Sequence, residues 1–264
     1  MLRRASEQAR AELTERLSDA SGDTAALGEE LFGVASVLRQ EAAIRRIVTD
    51  ASIEEDAKAG LVGDVFGDAV SGATLELLQD AVRRRWTAGR DLADVIEQLG
   101  VTALVRASGK GDQVSDELFA VRQLVDDHHD LRSALSDPSR SVADKRQMLD
   151  HLLGDKVQKA TMLLVGQAIS GTHGAIDGAL VEFQHLAAEA NDERIATVHA
   201  ARDLDDSERE RLVTALSRQY DRTVHLQVVV DPEVIGGLRV EIGDDVIDGT
   251  VTSRLEDAQR RLVG

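Results

Sequence analysis

The chain has no cysteine, which removes disulfides, thiolate nucleophiles and Cys-ligated zinc together. That fits a reducing compartment. Proline occurs only at Pro138 and Pro232, so few helix breaks are enforced. Aromatic residues make up 2% of the chain, too few for base-stacking platforms. Basic residues are in the minority, 31 Lys and Arg against 48 Asp and Glu, for a net charge of -17. A surface that negative repels phosphate backbones and anionic headgroups, so neither nucleic acid nor a bare membrane is an expected partner. No apolar run reaches the roughly 18 residues that a bilayer span needs. Met1–Arg10 carries three Arg and no apolar segment, so no signal peptide is visible. We expect no direct membrane insertion; any membrane association comes through a partner.

Reactive signatures are missing as well. Gly109–Lys110–Gly111 lacks the spacing and the hydroxyl of a phosphate loop. Gly236–Gly237 precedes a strand-like run, whereas phosphate-binding glycines follow a strand and open a helix. These glycines are expected to supply positive backbone angles in a turn. His128 and His129 are adjacent, and on one helix they point about 100° apart, a poor arrangement for sharing a metal. The acidic residues are dispersed, and no pair stands out as general acid and base. Arg83–Arg84–Arg85–Trp86 reads as a solvated helix face with one packed indole, or less often as a docking patch. We expect no catalytic residues, no cofactor and no metal.

What is present is helix-forming sequence. With 42% hydrophobic and 30% charged residues, the 264-residue chain has the balance of a folded protein of two or three small domains. Leu31, Val34, Ala35 and Leu38 recur at i, i+3, i+4, i+7, the stripe of a buried helix face. Ser52 with Glu55, and Ser141 with Asp144, read as capping boxes. Asp91 to Ala107 reads as a linking helix interrupted only by Gly100.

The chain also matches itself without gaps at an offset of 87 residues, the separation of Glu30 from Glu117. Glu30–Leu31–Phe32 falls on Glu117–Leu118–Phe119, Arg45 on Arg132, Asp50 on Asp137 and Ser52 on Ser139. Lys58 falls on Lys145, Gly67–Asp68 on Gly154–Asp155, Ala73–Thr74 on Ala160–Thr161 and Leu77 on Leu164. Shared amphipathicity explains apolar matches but not coincident Phe, Lys, Ser and Gly–Asp. The expectation is a duplicated helical bundle, residues 1–90 and 91–190, too long in period for a solenoid.

Residues 191–264 change character. Ile195 to His199, Val224 to Val230 and Leu238 to Ile242 read as strands, and Ser207 to Gln219 as a helix. Asp244–Asp245 makes a turn before Val246 and Ile247. Ser253 with Glu256 starts a last helix, striped by Val251, Leu255, Ala258 and Leu262. The fold class is therefore mainly α: two tandem bundles followed by a small α/β C-terminal module.

The tail carries a recognisable pattern. Val230, Asp231, Pro232, Glu233, Val234, Ile235, Gly236, Gly237, Leu238, Arg239 and Val240 resemble the signature of the ATP synthase delta family, bacterial counterpart of the mitochondrial oligomycin-sensitivity-conferring protein. So do Gly243, Asp244, Asp245, Val246, Ile247, Asp248, Gly249 and Thr250, then Arg254–Leu255. The resemblance covers about residues 91–264. It implies a non-catalytic peripheral-stalk subunit of the proton-translocating enzyme, at the cytoplasmic face of the cell membrane. It further implies that a helical bundle grips the N-terminal helix of an alpha subunit, and that the C-terminal part engages the C-terminal ends of the b subunits. Two departures stand out: family members usually have one bundle where this chain has two, and Thr250 stands where Ser is common. Of the two copies, the second is expected to receive the alpha helix, because its link to the tail matches the usual arrangement. The competing readings are a free-standing helical interaction or regulatory protein, and a phosphate-ligand enzyme using the tail glycines.

Overall fold

A computed structural model describes residues 4–18, 23–170, 176–191, 193–232, 234–243 and 245–251. The chain divides into two compact units, Met1–Ala187 and Ala188–Gly264.

The first unit is helical. Its first six helices are α1 (Arg4–Ser18), α2 (Thr24–Gln40), α3 (Ala42–Val48), α4 (Glu55–Phe66), α5 (Gly72–Arg83) and α6 (Gly89–Ser108). There follow α7 (Gly111–Asp127), α8 (His129–Ser136), α9 (Val142–Leu153), a 3-10 turn at Gly154–Lys156, α10 (Lys159–Ala168) and α11 (Ile176–Ala190). Shifted by the sequence offset, α2 superposes residue for residue on α7 and α4 on α9, while α3 falls on α8 and α5 on α10. Residues 4–18 of α1 fall on 91–105 within α6, and α6 in turn falls on α11. So α6 is both the last helix of the first set and the first helix of the second.

Local chemistry explains the helix ends. Asp23 caps α2 by accepting from the N–H groups of Ala25 and Ala26 at 3.0 and 3.2 Å, worth about 1 kcal/mol. Ser141 caps α9, accepting from Asp144 N–H and donating to Asp144 Oδ2, as its sequence spacing predicts. The expectation at Ser52 needs correction. Its N–H and hydroxyl both go to Asp50 Oδ1, and α4 starts with Glu54 at the N-cap position. An Asp two residues upstream outcompetes a helix N-terminus for a serine. Asp137 and Ser139 repeat this turn.

Polar connectors recur with the helices. Glu30 on α2 accepts from Ser71 N–H, the Ser71 hydroxyl and the Thr74 hydroxyl at the start of α5. Glu117 on α7 accepts from Gln158 N–H and the Thr161 hydroxyl at the start of α10. A carboxylate thus closes the positive end of the fifth helix in both sets, where unpaired N–H groups and the helix dipole favour an anion. Arg45 ends α2 by donating to Leu38 and Arg39 carbonyls, and Arg132 does the same for α7 at Asp126. Lys58 and Lys145 are both buried. These repeated pairs carry more weight than apolar matching, because amphipathicity alone does not require them.

The second unit holds β1 (Glu193–Ala200), α12 (Asp206–Tyr220), β2 (Thr223–Val230), β3 (Leu238–Ile242) and β4 (Asp245–Asp248). The sheet order is β2-β1-β3-β4, with β1 and β2 parallel and the other pairs antiparallel. The parallel pair requires a crossover, which α12 supplies. A reciprocal capping box starts α12: Glu208 N–H donates to Asp205 Oδ1 and Asp205 N–H to Glu208 Oε2. Ala196, Val198, Leu204, Leu216, Val224, Val240 and Ile242 form the core. The last helix expected from Ser253 lies outside the described residues.

Glu30→Ala and Glu117→Ala should each lower the unfolding free energy at neutral pH by about 1–2 kcal/mol, as losing a cap does. Urea titration by circular dichroism measures it. Burial pushes the Glu30 carboxyl up, but hydrogen bonds from Thr74 and Ser71 outweigh that and hold it below its ordinary value of 4.5. A lowered folded value means that this stabilisation is present above pH 4.5 and fades as the pH falls further. The gap between wild type and Glu30→Ala should therefore narrow in acid.

Candidate functional site

Charged residues that drew notice in the sequence serve the fold. Arg83 pairs with Asp56 at 3.2 Å, and Arg84 with Asp80 at 3.0 Å and with Glu12. Trp86 Nε1 donates to the Ala81 carbonyl and packs against the first core. The arginine run thus ties α1, α4 and α5 together. Gly109 ends α6 in the left-handed conformation at φ 61°. His128 sits between α7 and α8 with Nδ1 3.0 Å from the Leu124 carbonyl. Among the described residues, no group of three His, Asp or Glu is placed to hold a metal ion.

The tail signature folds into a tight, glycine-dependent corner. Asp231 N–H donates to the Ala200 carbonyl, and Pro232 follows as the chain leaves β2. Gly236 and Gly237 have φ of 63° and 83°, angles that side chains resist. Space forbids a side chain too: a Cβ on Gly237 would lie 2.3 Å from the Gly249 carbonyl oxygen. Gly249 N–H donates to the Leu238 carbonyl and Val251 N–H to that of Gly236, binding the two ends of the β3–β4 hairpin. Gly243 starts the turn of that hairpin at φ 58°, facing open space. Asp248 accepts from the Thr250 N–H and hydroxyl, and these bonds hold its carboxyl below the usual aspartate range. Thr supplies the same two donors as Ser, so that departure changes nothing here. Asp244 and Glu233 lie outside the described residues.

This corner pushes apolar side chains into solvent. Ile235 is 68% exposed, Val246 56%, Val230 51%, Val251 42% and Ile247 39%. Next to Ile235, at Gly236 and Gly237, runs a groove of about 720 Å³ between α12 and the ends of β1 and β3. Leu204, Leu212, Ala215 and Leu238 line it, with Arg202 and Arg211 at the rim. Sequence reasoning placed α12 but missed the groove wall; the Asp205–Glu208 box ahead of Leu212 was the available signal. In the helical unit a second groove, about 580 Å³, opens between α2, α9 and α10, lined by Phe32, Val142, Leu149, Met162 and Leu163. In the first set α4 packs more closely along α5 than α9 does along α10.

Exposed apolar ridges and grooves on a mainly helical fold are the surfaces that such a chain offers to partner chains. The family described as ATP synthase delta (OSCP) subunit matches residues 100–262. The ATP synthase subunit delta of Nocardioides sp. is 50% identical over 242 residues, covering 91% of this chain and 88% of that one. That of Streptomyces coelicolor is 39% identical over 98% of this chain and 97% of its own. That of Thermobifida fusca is 39% identical over 96% of both. The chain belongs to the ATP synthase delta (OSCP) subunit family, as a structural stator component of the ATP synthase complex with no catalytic role of its own. Its partners are other subunits of that complex. The family match begins inside α6, so the first helical set precedes it, yet these full-length relatives span both sets. No helix among the described residues is long and apolar enough to cross a membrane.

Gly237→Val should unfold the corner, since it meets both a forbidden φ and a backbone oxygen. Gly243→Asn should cost only about 1 kcal/mol, because its surroundings are open and Asn tolerates the left-handed region. Amide spectra of the two variants separate them: β3 and β4 signals vanish in the first and persist in the second, with helical circular dichroism retained in both.

Proposed function

We propose that this chain links the catalytic head of the ATP synthase to its membrane-anchored b subunits, at the cytoplasmic face of the cell membrane, and holds the head against rotation. Single-bundle relatives suggest the division of labour. The second helical set, within residues 91–190, receives the N-terminal helix of an alpha subunit. The module at 191–264 receives the C-terminal ends of b. The first set, residues 1–90, extends the head-side surface.

The observation that carries this reading is the tail corner. Asp231, Pro232, Gly236, Gly237, Gly243, Asp248 and Gly249 shape the backbone so that Ile235 is exposed beside a largely apolar groove, with Val246 and Ile247 exposed on the edge strand β4. A partner helix or helix end buries such a surface, at about 25 cal/mol per Å² of apolar area. For the alpha helix, the groove bordered by α2 and the splayed α9–α10 pair offers Phe32, Val142, Leu149, Met162 and Leu163 as apolar contacts among polar ones. Torque is then transmitted by packed helices, with ATP made or hydrolysed on other subunits.

A photo-reactive amino acid tests both halves in the assembled complex. At position 246 it should capture b, and at position 142 the alpha N-terminus. Capture of alpha from exposed positions of α4 rather than α9 would exchange the roles of the two helical sets. A chain that does not co-purify with alpha, beta, gamma and b would instead be a free-standing interaction protein.

A further inference from the structure

Glu97 on α6 is 1% exposed, a burial that strongly disfavours an isolated carboxylate. Its two oxygens reach in opposite directions along the repeat. Oε2 accepts from Arg39 Nη2 on α2 at 2.8 Å, and Oε1 accepts from Gln167 Nε2 on α10. The same Arg39 nitrogen also donates to Asp94 Oδ1 at 3.0 Å. Burial alone would pull the Arg39 guanidinium down; Glu97 and Asp94 outweigh it and hold it above its ordinary value.

This network differs in kind from the polar connectors that recur in both sets. One repeat along, the place of Arg39 is taken by Asp126, which is exposed and paired with Arg132. The place of Glu97 is taken by Gln184 one way and by Arg10 the other. The ion pair therefore is not inherited repeat chemistry. It exists only at the junction, where α2 belongs to the first set, α10 to the second and α6 to both.

We propose that Arg39, Glu97 and Gln167 form a junction lock that fixes the second helical set against the first, so that the two move as one rigid body. A buried ion pair is a weak source of net stability, because desolvation offsets most of its attraction. What it imposes is register: any slip of α10 along α6 takes the Gln167 amide away from a buried oxygen of the carboxylate that Arg39 pairs. For a stalk component under load, that converts two bundles into one lever.

The test uses the full chain, whose lack of cysteine permits paired spin labels at exposed Ala57 on α4 and Ala143 on α9. Three variants are compared with wild type: Arg39→Met, Glu97→Gln and the double variant Arg39→Met with Glu97→Met. The double variant leaves no buried charge uncompensated, since Asp94 is 44% exposed, and should keep its helical circular dichroism. The lock predicts that its label–label distance distribution broadens at least about twofold, and that α10 amides exchange roughly tenfold faster, as local opening becomes easier. Glu97→Gln, which keeps the side-chain shape, should broaden the distribution less and supplies the readout if the double variant loses its helical signal. A wild-type distribution and wild-type exchange in the folded variants would overturn the lock and leave an ordinary buried ion pair.

Discussion

The backbones of α2 and α6 come so close at Gly28 and Gly100 that neither position has room for a methyl group. A Cβ on Gly28 would stand 2.7 Å from Leu104 Cγ and 2.9 Å from the Gly100 oxygen, and one on Gly100 would stand 2.8 Å from the Phe32 ring. This approach lets Phe32 and Leu104 interlock across the pair and sinks α6 into the protein. Leu92, Val95, Ile96, Leu99, Ala103 and Leu104 are all 1% exposed or less. A helix covered on every side has no solvated face to define where one domain stops. The rest of the helical unit is arranged around that fact, with the first set on one side of α6 and the second on the other. At the matching positions one repeat on, Ser115 and Ala187 are again small and buried.

Duplication alone would have produced two similar bundles; what distinguishes this chain is where the copies diverged. On α1, Gln8 and Glu15 are exposed, while Glu12 and Arg16 reach the ionic groups Arg84 and Asp80 at the rim of α5. Their counterparts on α6 are Val95, Leu99, Thr102 and Ala103, all buried. Polar residues on α1 and apolar ones on α6 suit an outer helix and a helix packed between two sets. The α4–α5 and α9–α10 pairs diverged in the other direction. The first pair packs closely against itself, and the groove beside Phe32 borders the more open second pair. A copy that keeps its carboxylate clamps while its surface changes keeps its fold.

Much of this was legible in the sequence, and the physical reasons differ from part to part. The repeat showed because Glu30, Asp50, Ser52, Lys58 and Thr74 and their partners one offset on are polar residues in fixed roles, and polar roles constrain residue identity more tightly than burial does. The tail corner showed because positive φ together with backbone contact leaves glycine as the workable residue at 237. The sharing of α6 did not show. Its alignment with α1 is poor because burial replaced the very residues that define the outer face of α1. The start of α4 was misplaced by two residues, because a helix cap and an Asx turn compete for the same serine. The grooves were invisible, since they depend on how far α9 and α10 splay and on what β1 and β3 leave uncovered.

The claim on which the account rests is that α6 makes one cooperative unit of both helical sets. Trp86, the single tryptophan, packs against the core of the first set, while amide signals of α9 report on the second. A urea titration that follows Trp86 emission and α9 amides on the same samples tests the claim directly, since two-state unfolding requires coincident transitions. The account predicts one shared midpoint. Loss of α9 signals at a urea concentration where Trp86 emission is still native would contradict it.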